Sequence, residues 1–91
     1  MWINGDAAKE ERNLRERKLP FLLMVALLEN LIAEWEDTRH DYGETRMIAV
    51  GLVGGRLMVG VYTMREEARE PVVWVISLRK ANSREQAQWL G

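Results

Sequence analysis

The chain has no cysteine, which removes disulfide staples, thiolate metal sites and thiol nucleophiles together and fits a reducing cytosol. It has a single histidine, so no cluster of nitrogen ligands is available, and no motif arranges its carboxylates around an ion. Neither a metal nor any other cofactor is expected. Long apolar runs are missing as well: the longest, Phe21 to Leu28, has eight residues, against the roughly 20 that a membrane helix needs. The opening Met1-Trp2-Ile3-Asn4-Gly5-Asp6 lacks the basic start of a signal peptide, so a cytoplasmic protein with no membrane contact is expected. An excess of charge of either sign is also absent, with 13 Lys and Arg against 14 Asp and Glu and a net charge of −1. That balance counts against strong, sequence-independent attraction to nucleic acid, which comes mainly from cations displacing counterions along the phosphate chain. Any such contact must be local.

At 91 residues the chain is expected to form one domain spanning residues 1–91, with a single core, since only roughly 60 to 65% of the unfolded surface can be buried at this size. The first few residues suit a short edge strand, and Asp6 is placed to cap a helix from Ala7 to Arg17. Pro20 breaks that helix. A second follows from Phe21 to Asn30, apolar on every side, with about twice the apolar content that one buried face requires. Leu31 to Trp35 reads as a strand and Glu36 to Gly43 as a polar loop. Arg46 to Val53 and Leu57 to Thr63 read as strands joined at Gly54-Gly55, a dipeptide suited to a tight hairpin. Pairing Val53 with Arg56 then sets Leu52, Val50 and Ile48 opposite Leu57, Val59 and Val61, a branched column expected to meet the helices. The other face, Met47, Ala49 and Gly51 against Tyr62, Gly60 and Met58, reads as an open shallow trough. Met64 to Glu70 reads as a charged connection and Val72 to Leu78 as the last strand, with Asn82 or Ser83 capping a short terminal helix. The expected class is α+β: a small twisted, mainly antiparallel sheet with two helices on one face and a short C-terminal helix.

Basic side chains concentrate at strand ends, in Asp41-Tyr42-Gly43-Glu44-Thr45-Arg46 and in Ser77-Leu78-Arg79-Lys80-Ala81-Asn82-Ser83-Arg84-Glu85. Guanidinium groups held by a sheet match phosphate oxygens two-pronged, which makes RNA the first substrate to consider.

Those two stretches, with the opening helix, resemble the BrnT toxins of bacterial toxin–antitoxin pairs over nearly the whole length. Asp6, Lys9, Asn13, Leu14 and Phe21 match the family's first helix, Asp41-Tyr42-Gly43-Glu44 with Arg46 its central motif, and Ile76-Ser77-Leu78-Arg79-Lys80-Ala81 with Arg84-Glu85 its last. The resemblance implies a RelE-like fold and a ribonuclease restrained by a cognate antitoxin protein. The chain departs from the pattern at Gly5, where the family usually has Trp, and at Glu16-Arg17-Lys18 in place of Lys-His-Gly. It departs again at Leu22, in place of an acidic residue, and at Trp74, in place of Arg.

RNA cleavage through the 2′-hydroxyl needs a base, cations for the phosphorane and an acid for the leaving oxygen. Arg79, Lys80 and Arg46 are the candidate cations, with Arg79 favoured for its fork; the alternative is that they form ion pairs with Glu44 and Glu85. His40 is the candidate base. Lys9 and Arg17 could touch RNA backbone, and Tyr62 could stack on a base. A second reading keeps the fold without the chemistry. Trp2, Leu22, Met24 and Trp74 would then form an apolar interface for a homodimer, an antitoxin or the partner of an engineered scaffold.

Overall fold

The computed structural model describes residues 1–91. Its elements run β1 (Trp2–Gly5), α1 (Ala7–Arg17), α2 (Leu23–Glu29), β2 (Leu31–Glu36), β3 (Met47–Val53), β4 (Arg56–Glu67), β5 (Glu70–Lys80) and α3 (Ser83–Leu90). One five-stranded sheet has the order β1-β5-β4-β3-β2. Its neighbours are antiparallel except β1 and β5, which pair in parallel, so the fold is α+β with a mixed, mainly antiparallel sheet. No helix is long and apolar enough to cross a membrane.

Local chemistry sets the ends of the elements. The Asp6 carboxylate accepts from the Lys9 amide at 3.0 Å, satisfying one of the free donors at the start of α1. Lys18 turns left-handed (φ 60°) and its amide donates back to Leu14, which ends the helix and delivers Leu19 into the core. At Gly54-Gly55 both φ angles are positive (57° and 79°), and the hairpin they close has the expected register, with Val53 opposite Arg56, Val50 opposite Val59 and Ile48 opposite Val61.

The expected charged connection from Met64 to Glu70 is instead strand. Arg65, Glu66 and Glu67 pair with Val72, Pro71 and Glu70, and the chain reverses at Ala68-Arg69, both at positive φ. Because β3 pairs with β4 only as far as Tyr62, this ribbon projects beyond the sheet. Its side chains reach water while its backbone groups stay paired, so charge does not oppose the strand.

Ile76 has no partner, since Val61 pairs with Ser77 and Tyr62 with Val75. This one-residue bulge shifts the alternation of β5. Trp74, Ser77 and Arg79, opposite Thr63, Val61 and Val59, therefore all share one face of the sheet.

The helices α1 and α2 lie on the face opposite to the expected one. Met24 and Leu27 of α2 are wholly buried against Ala49, Met58 and Tyr62, with Phe21, Val73, Val75 and Leu78 completing the main core. The branched column of Val50, Leu57 and Val59 forms a second cluster with Ala81 and Trp89, under α3. The reason is volume. A Cβ on Gly51 would stand 2.5 Å from the Leu27 carbonyl oxygen and 2.8 Å from that of Asn30, and one on Gly60 would meet the Met24 side chain. The trough is a socket for α2, and filling it accounts for the apolar surplus of that helix.

Gly51→Ala forces two backbone carbonyls to move and is expected to destabilise the protein by about 2 kcal/mol or more. Urea unfolding measures this, and a variant as stable as the parent would contradict the close seat of α2.

Candidate functional site

With α1 and α2 on one face, the middle of the other is covered only by α3 and the β2–β3 loop, and a cleft of about 560 Å³ lies there. Ile48, Val59, Val61 and Ser77 line it from β3, β4 and β5, while Trp35, Asp37, Arg39, Arg79 and Glu85 stand around them. The Trp35 ring stacks on Trp89 of α3 with centroids 5.7 Å apart, tying the terminal helix to the far edge of the sheet.

Arg79 projects from β5 into this cleft and meets Glu85 in a two-pronged pair, Nη1 to Oε1 at 2.7 Å and Nη2 to Oε2 at 2.8 Å. Glu85 also closes the capping box of α3: its carboxylate accepts from the Asn82 amide at 2.9 Å, and its amide donates to Asn82 Oδ1 at 2.8 Å. Chiefly through the Arg79 hydrogen bonds, the Glu85 carboxyl is held down at about 2, and the same pair pushes the Arg79 guanidinium up. Arg79 Nη1 also approaches the Lys80 carbonyl at 3.4 Å, and the side chain, still 40% exposed, lines the cleft with donor capacity to spare.

A second guanidinium–carboxylate pair stands on the rim. Asp37 is buried and accepts from Arg39 Nε and Nη2, both at 2.8 Å, and from the Tyr42 hydroxyl at 3.1 Å. Hydrogen bonding to Arg39 holds the Asp37 carboxyl far below the usual carboxylate range and outweighs the opposing effect of burial. Sequence reasoning passed over this Asp37–Arg39–Tyr42 group. Its signal was an acid and an arginine two apart in an otherwise loose polar loop.

The other expected cations and the histidine lie at four separate places. His40 is exposed in a depression that shares Glu36 to Arg39 with the cleft, its ring edge-on to Tyr42. Arg46 lies over the Tyr42 ring at 4.0 Å and pairs with Glu44 at 3.4 Å, near the cleft entrance rather than in it. Lys80 departs from Arg79: it sits opposite Met58, on the helix face, and lines a different hollow with Arg56 and Gln86. Lys9 and Arg17 border a hollow beside Ser77 on the α1 side, and Arg17 is tied to the Leu78 carbonyl at 3.2 Å and to Asn13 at 3.0 Å.

Two expectations are overturned. Tyr62 is buried and its hydroxyl donates to Glu34 at 2.6 Å, so its ring is core and cannot stack on a base. Burial, with that bond, pushes its hydroxyl pKa up. Met24 is 0% exposed and cannot be interface, because α2 turns it into the glycine socket. Leu22 and Trp2 are exposed, at 68% and 66%, whereas Trp74 is half-buried beneath Arg65.

The family model described as "Ribonuclease toxin, BrnT, of type II toxin-antitoxin system" matches residues 6–85. The chain belongs to the BrnT toxin family. A comparison with curated protein sequences finds no match. The matched span takes in both guanidinium–carboxylate pairs and ends on Glu85, the residue that joins α3 to the cleft of this BrnT chain.

Because the Glu85 carboxyl is depressed in the folded state, its stabilisation is complete above its ordinary value of 4.5 and is lost as pH falls toward about 2. Glu85→Gln is expected to cost about 1 kcal/mol at neutral pH and to flatten this part of the acid-unfolding profile. Equal acid sensitivity of parent and variant, followed by thermal unfolding, would contradict the pairing.

Proposed function

We propose that this BrnT-family chain is a cytoplasmic, metal-independent endoribonuclease that grips an RNA phosphate with Arg79 and is neutralised by a protein antitoxin. The observation that carries the reading is the Arg79 guanidinium, anchored by Glu85 yet still partly open to a cleft on the free face of the sheet. A group fixed before the substrate arrives stabilises developing phosphorane charge without reorganising during the reaction.

In the proposed reaction the 2′-hydroxyl loses a proton and attacks the adjacent phosphorus, forming a 2′,3′-cyclic phosphate. The P–O5′ bond breaks and the leaving oxygen takes up a proton. His40 is the favoured base, because Asp37 and Glu85 are held so strongly ionised that they accept protons poorly. Arg39 and Arg46 add positive charge at the entrance, each already matched by a carboxylate. Phosphate must therefore share or replace those partners, which keeps binding local, as the net charge of −1 requires. Leu22 and Trp2 supply apolar surface for the antitoxin.

Expression in bacteria is expected to arrest growth and degrade RNA, with cleavage by purified protein insensitive to a chelator. Arg79→Ala is expected to lower the cleavage rate by about 10²- to 10³-fold while circular dichroism stays unchanged, and His40→Ala to remove activity around neutral pH. A parent chain that is harmless and leaves RNA intact, or an Arg79→Ala variant cutting at the parental rate, would overturn the proposal.

A further inference from the structure

We propose that Arg65, held over the Trp74 ring, is a stacking platform for an unpaired RNA base and forms a second subsite on the face that carries Arg79. This rests on the reading of the Arg79 cleft as the RNA site and extends it along the sheet. The bulge at Ile76 puts Trp74 and Arg79 on the same face, opposite Thr63 and Val59 respectively. Four residues of β4 separate those positions, roughly 13 Å at the rise of a strand. That span is about two nucleotide steps of an extended single strand, so with one phosphate gripped at Arg79 the base about two nucleotides along comes within reach of the platform.

The Arg65 guanidinium lies 4.0 Å from the centre of the Trp74 ring, and the Arg46 guanidinium lies 4.0 Å from the centre of Tyr42. Glu44 approaches both cations, at 3.8 Å from Arg65 and 3.4 Å from Arg46. The indole beneath and the carboxylate beside it restrict Arg65, where an ordinary surface arginine would sample many rotamers. Its side chain is still 42% exposed, which leaves the group accessible from solvent. A flat, positively charged, delocalised surface of this kind fits a nucleobase, because bases stack on guanidinium planes as they do on aromatic rings and every base has a π-face. Any preference among bases is accordingly weak.

The test is binding of a single-stranded, fully 2′-O-methylated oligoribonucleotide, which cannot be cleaved, measured by fluorescence anisotropy with single abasic sites walked along it. For the parent chain, one abasic position about two nucleotides from the gripped phosphate is expected to weaken binding by about tenfold, within the range known for a stacked base. Trp74→Ala and Arg65→Met are each expected to weaken binding of the intact oligonucleotide to a similar degree and to become insensitive to that abasic site. Trp74→Phe, which keeps an aromatic surface, is expected to retain most of the affinity. Parental affinity and an unchanged abasic profile in both Trp74→Ala and Arg65→Met would overturn the platform. If Arg79→Ala abolishes binding in that case, the cleft reading stands without it. A parent chain that does not bind the oligonucleotide would overturn both.

Discussion

The fit of α2 against three positions with almost no side chain, Ala49, Gly51 and Gly60, decides how the rest of the molecule is arranged. A helix backbone that meets sheet backbone this closely buries Met24 and Leu27 completely and commits α1 and α2 to one face. The other face is then left to α3, which covers only the end of the branched column, around Val50, Leu57, Val59 and Ala81. The uncovered middle becomes the cleft. Burial on one side and access on the other are thus two consequences of the same packing.

Within the cleft, the positions of the cations depend on backbone features more than on their own contacts. The unpaired Ile76 brings Arg79 and Trp74 to a common face, and the capping box of α3 aims Glu85 at Arg79. Each guanidinium on this face lies beside a carboxylate: Arg79 beside Glu85, Arg39 beside Asp37, Arg46 and Arg65 beside Glu44. These pairs contribute little to stability where exposed. What they supply is order, holding planar cations in fixed orientations at small net charge.

The elements and the hairpin register were legible because they depend on neighbours in sequence. Asp6 and Asn82 cap helices, Gly54-Gly55 fixes a two-residue turn, and period-two alternation gives the strands. Which sheet face meets the helices was not legible, because a column of Ile48, Val50 and Leu52 looks like a helix-packing surface while Ala49, Gly51 and Gly60 look like emptiness. In the fold, emptiness is what admits α2. The same inversion misassigned Met24 and Tyr62 as surface residues. The extension of β4 through Arg65 to Glu67 was hidden because charge normally marks a loop, and this ribbon projects into water. Arg79 and Glu85 were visible as candidates and as a possible ion pair. The Asp37–Arg39–Tyr42 group was missed because it is built in a loop, where no periodicity announces which side chains meet.

The central claim is that the face bearing Val59, Val61, Ser77 and Arg79 receives RNA while the glycine-lined face is sealed by α2. Amide chemical shifts recorded during titration with a single-stranded oligoribonucleotide blocked at its 2′-hydroxyls test this most directly. Expected changes centre on Ser77, Arg79, Arg39 and the Glu85 turn, with Ala49, Gly51 and Gly60 unmoved. Changes centred on α2 and Gly51, or none anywhere at saturating oligonucleotide, would contradict it.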